Sequence, residues 1–162
     1  MSQILKLLKK GTFYGTVIFS KFPIISYKKY IIDKTVLLKA VINVKSNIIS
    51  VFTCHPYAPV SEYYIKKRNK QIKYFSSIIE KTKGLKLVTG DFNAVPWSWI
   101  MKYFKKKTKL FDNRNLIMNT YPTSLIVRVP IDYIFSSKGF SYAEIKRIYS
   151  PSSLKTPQED RF

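Results

Sequence analysis

The chain has 162 residues, of which 46% are hydrophobic and 15% aromatic, a composition that excludes a disordered polypeptide and suffices for one domain with a buried core. Its formal net charge of +20 comes from 29 basic and 9 acidic residues and favours a polyanionic partner, such as nucleic acid or an anionic membrane surface. A compositional bias towards lysine explains this charge equally well, because the lysines are spread along the whole chain.

Cys54 is the only cysteine, which excludes an internal disulfide, and the single histidine excludes a Cys/His zinc cluster. No apolar run reaches the length of a membrane span, and lysines interrupt the N-terminus too often for a clear signal peptide. We therefore expect a soluble, cytoplasmic protein, with attachment to an anionic membrane surface left open. We expect one partial domain over residues 1–162, with its core in 15–150 and a polar tail in 151–162.

Six short runs rich in valine, isoleucine, phenylalanine and tyrosine, bounded by turn residues, predict β-strands. These are Thr16–Ser20, Val36–Val44, Ile48–His55, Leu85–Thr89, Ile131–Ser136 and Ala143–Tyr149. The turn between the second and third runs predicts an antiparallel hairpin. Because Val51 shares one face of this hairpin with His55 while Phe52 occupies the other, the sheet should be covered on both sides.

Three segments predict helices. Met1–Lys10 is the first, and Ser61–Lys81 is the second, with Ser61 as the N-cap and apolar residues at helical spacing. The third begins at Ser98 and runs into Lys105–Lys107, whose charges favour a helix C-terminus. The outer face of the second helix carries a row of lysines that predicts a solvated surface more than a nucleic-acid stripe: Lys66, Lys67, Lys70 and Lys73.

The most informative segment is Gly90-Asp91-Phe92-Asn93, at the end of the fourth predicted strand. On an extended backbone Asp91 and Asn93 point the same way while Phe92 turns into the core, and Gly90 permits a bend or a close approach. A carboxylate can hold a divalent cation or orient water, and an amide can both donate and accept hydrogen bonds. The same tetrapeptide is also a common turn, in which Asp and Asn bond their own backbone.

Four segments follow one another along the chain: Gly15–Ile24, Thr53–Pro56, Gly90–Pro96 and Pro130–Ile134. Together they resemble the endonuclease/exonuclease/phosphatase superfamily of metal-dependent phosphoesterases, over about residues 15–150. The resemblance implies an α+β fold: an α/β sandwich of two packed, mostly antiparallel or mixed β-sheets with outer helices and an incomplete first sheet. It also implies Mg²⁺ or Mn²⁺ as the cofactor of an active member. The substrate would be a phosphoester, whether in nucleic acid, a phospholipid head group or a small phosphate ester.

Within this resemblance, His55 matches the position that contacts the scissile phosphate or protonates the leaving oxygen. Asp91 would orient or deprotonate the attacking water and is the one candidate metal ligand. Asn93 would hold water and phosphate oxygens, and Asp132 matches a carboxylate that orients a second histidine. Three basic residues are candidate phosphate or nucleic-acid contacts: Lys66, Lys67 and Arg68.

Each of these residues also has a structural interpretation. A single histidine at a strand end is more often hydrogen-bonded than catalytic. Asp132 could pair with Arg128 or Arg68, because a buried carboxylate needs a partner. Cys54, which points away from His55, is predicted to be a small core residue and not a nucleophile.

The sequence departs from the family pattern in two places. No acidic residue precedes Asp33, so the glutamate of the family's metal site is missing, and no histidine follows His55. These departures predict a degenerate hydrolase domain that is weakly active or inactive as this single chain, or one completed by a second chain from a split gene. The alternative is a basic nucleic-acid- or anionic-lipid-binding protein without catalysis, acting through Lys66, Lys67, Arg68, Lys70 and Lys105–Lys107.

Overall fold

The computed structural model describes residues 16–113 and 129–140, together with the backbone of residues 3–7. Its helices and strands, in chain order, are β1 (Gln3–Leu7), β2 (Thr16–Ser20), β3 (Ile24–Ile32), β4 (Thr35–Val44), β5 (Asn47–Cys54), α1 (Glu62–Lys81), β6 (Leu85–Asp91), α2 (Trp99–Thr108), β7 (Phe111–Asp112) and β8 (Asp132–Ser136). Strands β1 and β2 form a two-stranded sheet, and the other six strands form one mixed sheet in the order β3-β4-β5-β6-β8-β7.

The predicted hairpin is confirmed as β4 and β5, which pair antiparallel from Val44 opposite Asn47 to Leu37 opposite Cys54. Its turn residues Lys45 and Ser46 both have positive φ, 48° and 70°, the geometry that matches the twist of the flanking strands. After the hairpin, α1 connects β5 to a parallel β6, and β8 then pairs antiparallel with β6. This topology places the end of β5, the end of β6 and the start of β8 side by side.

The six-stranded sheet is covered on both faces, as the hairpin pattern predicted. One face packs on the two helices through a core that includes Phe52 of β5, Phe75 of α1 and Phe104 of α2. The opposite face packs Leu38 of β4 against Ile18 of β2 in a separate, smaller core. The structure is therefore the expected α+β sandwich, with a two-stranded first sheet among the described residues.

Both longer helices begin where the sequence predicted. The hydroxyl oxygen of Ser61 accepts the Tyr64 N–H at 3.5 Å, which caps α1. Ser98 precedes α2, but its hydroxyl donates to the Val95 carbonyl at 2.6 Å and does not cap the helix. Neither helix in the described ranges is long and apolar enough to cross a membrane.

One prediction is wrong at the N-terminal end, one strand there was not predicted, and one predicted strand lies outside the described residues. The helix predicted for Met1–Lys10 is wrong, because Gln3–Leu7 form a strand whose backbone pairs with β2. Strand β3, which the sequence did not predict, is an edge strand that mixes lysine and tyrosine with isoleucine and is largely exposed. The strand predicted for Ala143–Tyr149 lies outside the described residues.

Candidate active site

Three of the predicted site residues meet at one end of the six-stranded sheet. His55 follows the last residue of β5, Asp91 ends β6, and Asp132 begins β8. Asp91 lies directly opposite Asp132 in the register, and the residues preceding His55 and Asp91 are themselves paired. The distance between His55 Nε2 and Asp91 Oδ2 is 3.6 Å. An imidazole and two carboxylates are therefore carried at the same end of three neighbouring strands.

Gly90 is required by the close approach of β5 and β6. Its φ is +146°, and a Cβ at this position would overlap the carbonyl oxygen of Cys54 on the paired strand. A residue with a side chain would have to separate the two strands and would also be strained. The close approach expected at Gly90 is thus confirmed, and it sets the position of Asp91 relative to His55.

The chain turns sharply after Asp91. Asn93 has a φ of 50°, so the extended backbone expected through this residue is absent, and its N–H donates to Asp91 Oδ1 at 2.7 Å. The Asn93 side chain donates from Nδ2 to the Pro56 carbonyl at 2.9 Å. Phe92 turns into the core, as expected. Asn93 therefore joins the segment that carries His55 to the turn that carries Asp91.

Arg68 supports this turn from α1, a contact that sequence reasoning missed. Its side chain is buried, and Nη1 donates to the Asn93 carbonyl at 2.6 Å. Nε and Nη2 donate to Asn69 Oδ1 at 3.2 and 3.0 Å. Burial lowers the pKa of the Arg68 guanidinium. The inward position of Arg68 was readable from the sequence, because Arg68 precedes the buried Ile72 by four residues and Phe75 by seven, but its partner was not.

The electrostatics of the site centre on Asp91. Burial raises the pKa of this carboxyl, and the Asp132 carboxylate raises it further, whereas the hydrogen bond from the Asn93 N–H and the charge of His55 lower it. The net direction is upward. Two carboxylates directly opposite each other repel and weaken a sheet, so their pairing is typical of a functional site.

The remaining predicted contacts lie on the outer surface of α1. Lys66 Nζ is 2.7 Å from Glu62 Oε1 in an exposed ion pair, and Lys67 Nζ lies over the rings of Tyr63 and Tyr57. The structure thus separates these lysines from the buried Arg68, and their contact with phosphate stays a prediction.

Cys54 is a core residue, as predicted. It is buried on the helix side of the sheet, and burial raises the pKa of its thiol. A thiol held in this protonated state is not a nucleophile.

The described residues do not form a complete metal site. Within 16–113 and 129–140, no three His, Cys, Asp or Glu side chains are grouped so that they could hold a metal ion. Asp91 is the candidate ligand that the sequence suggested, and a Mg²⁺ or Mn²⁺ ion would need further ligands from elsewhere.

Comparison with known proteins identifies the family. The model of the Endonuclease/Exonuclease/phosphatase family matches residues 9–153. The chain belongs to this family. No curated protein matches the sequence significantly.

Solved structures agree on the fold. D. rerio TDP2 complexed with a single-strand DNA product has a TM-score of 0.65 at 14% identity, covering 84% of this chain and 62% of that one. The Staphylococcus aureus beta toxin F277A, P278A mutant with bound magnesium ions has a TM-score of 0.62 at 17% identity, and the match covers 84% of this chain and 61% of that one. Sphingomyelinase C from Streptomyces griseocarneus has a TM-score of 0.61 at 15% identity, and the match covers 78% of this chain and 53% of that one. This chain spans between about half and two thirds of these proteins' lengths.

Proposed function

We propose that this chain is a phosphoester hydrolase domain whose reacting groups are His55, Asp91, Asn93 and Asp132, and that the 162 residues alone turn over weakly or not at all. The observation that carries the proposal is the meeting of His55, Asp91 and Asp132 at the ends of three adjacent strands. Family membership supports the reaction class.

Each residue has a role that its surroundings support. Asp91 orients the attacking water and accepts its proton, a role helped by a raised pKa because a stronger base accepts a proton more readily. His55, 3.6 Å away, contacts the phosphate or protonates the leaving oxygen. Asn93 fixes the distance between the two segments through its bonds to Pro56 and Asp91 and is proposed to contact water or phosphate as well.

A divalent cation, Mg²⁺ or Mn²⁺, would neutralise charge on the phosphoryl oxygens when bound. A structural neighbour carries magnesium ions, which supports this choice of cofactor. The described residues supply only part of a ligand set, so we propose that the other ligands come from a complementing chain. Isothermal titration calorimetry of Mg²⁺ with the wild type and with Asp91→Asn then measures whether the partial site retains affinity for the ion and whether that affinity depends on Asp91.

The hydrolysis is tested with a small activated phosphodiester and with labelled DNA and RNA, in Mg²⁺, Mn²⁺ or EDTA. We expect slow, metal-dependent release of product that falls at least about 100-fold in Asp91→Asn and in His55→Ala, since loss of an acid–base group commonly costs this much. Glu62→Gln is the matched control, because Glu62 is an exposed carboxylate on α1 paired with Lys66. Hydrolysis that is unchanged in Asp91→Asn would contradict the proposed role of this residue, and hydrolysis that is absent under every condition would show that the chain alone is inactive.

The proposal that the single chain turns over weakly or not at all has a separate test. A turnover number near the enzyme median of about 10 s⁻¹ from the purified single chain would refute it. Neighbouring reading frames that encode a glutamate segment and a histidine segment of the family pattern would instead favour a split gene, and mixing the two chains should then increase hydrolysis.

A binding protein without catalysis is the second candidate. It is favoured by the net charge of +20 and by the exposed lysines on α1, including Lys66 and Lys70. Real phosphate contacts require affinity that falls steeply with added salt, measured by gel retardation across a range of NaCl concentrations.

A further inference from the structure

Three tyrosine rings and one lysine form a compact group at the start of α1. We call Tyr57, Tyr63, Tyr64 and Lys67 the tyrosine–lysine cluster. The Tyr57 and Tyr64 ring centroids are 5.4 Å apart, and those of Tyr63 and Tyr64 are 5.3 Å apart. Lys67 Nζ lies 4.7 Å from the Tyr63 ring and 5.7 Å from the Tyr57 ring.

The cluster lies beside the candidate active site. Tyr57 is two residues after His55, so their Cα atoms are at most about 7.6 Å apart. The intervening Pro56 is held by the hydrogen bond from Asn93. Tyr57 of the cluster and His55 of the candidate site therefore lie on the same short segment, which Asn93 holds in place.

Tyr57 is the member of the cluster that hydrogen bonds hold in place. The Tyr57 N–H donates to Gln71 Oε1 at 3.0 Å, and the Tyr57 hydroxyl donates to the Asp33 carbonyl at 2.7 Å. Gln71 is fully buried and donates in turn to Thr35 Oγ1 at 2.9 Å. A surface fixed before a ligand arrives loses little conformational entropy on binding.

Tyr63, the exposed part of the cluster, does not pack into the hydrophobic core. Tyr63 is 59% exposed, and the inward face of α1 is formed by other residues, among them Ile72 and Phe75. Lys67 is cationic at neutral pH, as an ordinary lysine is, and hydrogen bonding to Tyr63 raises its pKa further. An exposed aromatic surface with a fixed cation, next to a phosphoester site, indicates a ligand that has both rings and phosphates.

We propose that the tyrosine–lysine cluster is a base-stacking platform for single-stranded nucleic acid, which holds a nucleotide next to the scissile phosphate. The proposal rests on the proposed function and assigns its substrate class. Aromatic side chains stack on any unpaired base, and lysine contacts the adjoining phosphate. The bases of a duplex are already stacked on each other and cannot reach the rings. The rings are tilted against one another, by 59° between Tyr57 and Tyr64 and by 78° between Tyr63 and Tyr64, so a base stacks on one ring at a time, and Tyr63 is the most exposed of the three.

The test is binding of labelled oligonucleotides to an Asp91→Asn background, which prevents cleavage during the measurement. Fluorescence anisotropy compares oligothymidylate of about twelve nucleotides with an abasic strand of equal length, which has the phosphates but no bases. We expect Tyr63→Ala to weaken oligothymidylate binding at least about fivefold, with little change for the abasic strand. Tyr63→Phe should bind nearly as the parent does, because the ring remains.

Tyr74→Ala is the matched control, since Tyr74 is an exposed tyrosine further along α1 and outside the cluster. It should leave both affinities unchanged. Lys67→Ala should reduce the slope of log affinity against log salt by about 0.7, the value for one phosphate of a single strand.

Other results would overturn the platform. One is an equal loss of affinity for oligothymidylate and for the abasic strand in Tyr63→Ala, and another is no loss of affinity for either. A third is Tyr63-dependent binding of phosphatidylserine vesicles without oligonucleotide binding, which would indicate a membrane surface. Hydrolysis of a small phosphodiester without base-dependent binding would also overturn the platform and leave the proposed hydrolysis intact. Base-dependent binding without Asp91-dependent hydrolysis would support the platform and remove the hydrolysis.

Discussion

Asp91 combines two conflicting demands at a single position. Its carboxylate accepts a hydrogen bond from Asn93 and lies near His55, yet burial and the opposing Asp132 raise its pKa. A folded protein that holds a carboxyl with a raised pKa binds the proton more tightly than the unfolded chain does. The ionised group is therefore a cost to stability at neutral pH, which is typical of a side chain retained for chemistry.

This cost predicts how Asp91→Asn changes stability with pH. Below about pH 4, the ordinary range of aspartate, the wild-type carboxyl is protonated in both states and resembles the amide. As pH rises through the raised pKa of the folded protein, the wild type loses stability that the variant keeps. In urea unfolding from pH 3 to pH 8, the free energy of unfolding of Asp91→Asn should increase relative to that of the wild type as pH rises. Asp112→Asn, on β7, is the control for a general charge effect, and a gap that is constant or shrinks with pH would contradict the prediction.

At the scale of elements, α1 holds together the two segments that form the site. Arg68 bonds the Asn93 carbonyl, and Gln71 bonds the Tyr57 N–H, so one helix contacts the chain after β5 and the chain after β6. The site is thus positioned by the helix between its two strands as well as by the strands themselves.

Arg68→Met tests this connection. The variant should lose about 2 kcal/mol of unfolding free energy, because a charged hydrogen bond is removed and the Asn93 carbonyl is left buried and unpaired. Hydrogen exchange should also be faster at the Asn93 amide while the amides of α2 stay protected. Lys66→Met, on the exposed side of the same helix, should change stability by no more than about 0.5 kcal/mol. Equal effects of the two substitutions would show that Arg68 is not a structural link.

The elements predicted from sequence were those whose pattern reflects burial. The hairpin of β4 and β5, strand β6 and both longer helices have apolar residues at the spacing of their buried faces. Edge elements gave no such pattern: β3 is largely exposed, and Gln3–Leu7 became a strand through pairing with β2. The order of the motifs along the chain predicted that His55, Asp91 and Asp132 share one site, and they lie at one end of the sheet. The bond from Arg68 to Asn93, in contrast, depends on a left-handed turn that composition does not reveal.

Across the whole molecule, the dominant physical fact is an unbalanced charge of +20 on a small fold. Among the described residues, lysines on the two helices form ion pairs with Glu62, Asp33 and Glu80. The other lysines repel one another, and self-repulsion of this kind destabilises a compact state. A polyanion or added salt should relieve it.

Thermal unfolding in NaCl gives the last prediction. The melting temperature should rise with ionic strength, and most of the rise should fall below about 0.3 M, because the Debye length has already shortened to about 8 Å at 0.15 M. An effect of salt on apolar hydration would instead grow steadily to higher concentration. Short polyphosphate should raise the melting temperature more than NaCl of equal ionic strength, because a polyanion that binds the folded surface adds its binding free energy to the effect of screening. A melting temperature that is flat or falls in NaCl would show that the lysines are too far apart to repel, and that the charge of this protein has little effect on its stability.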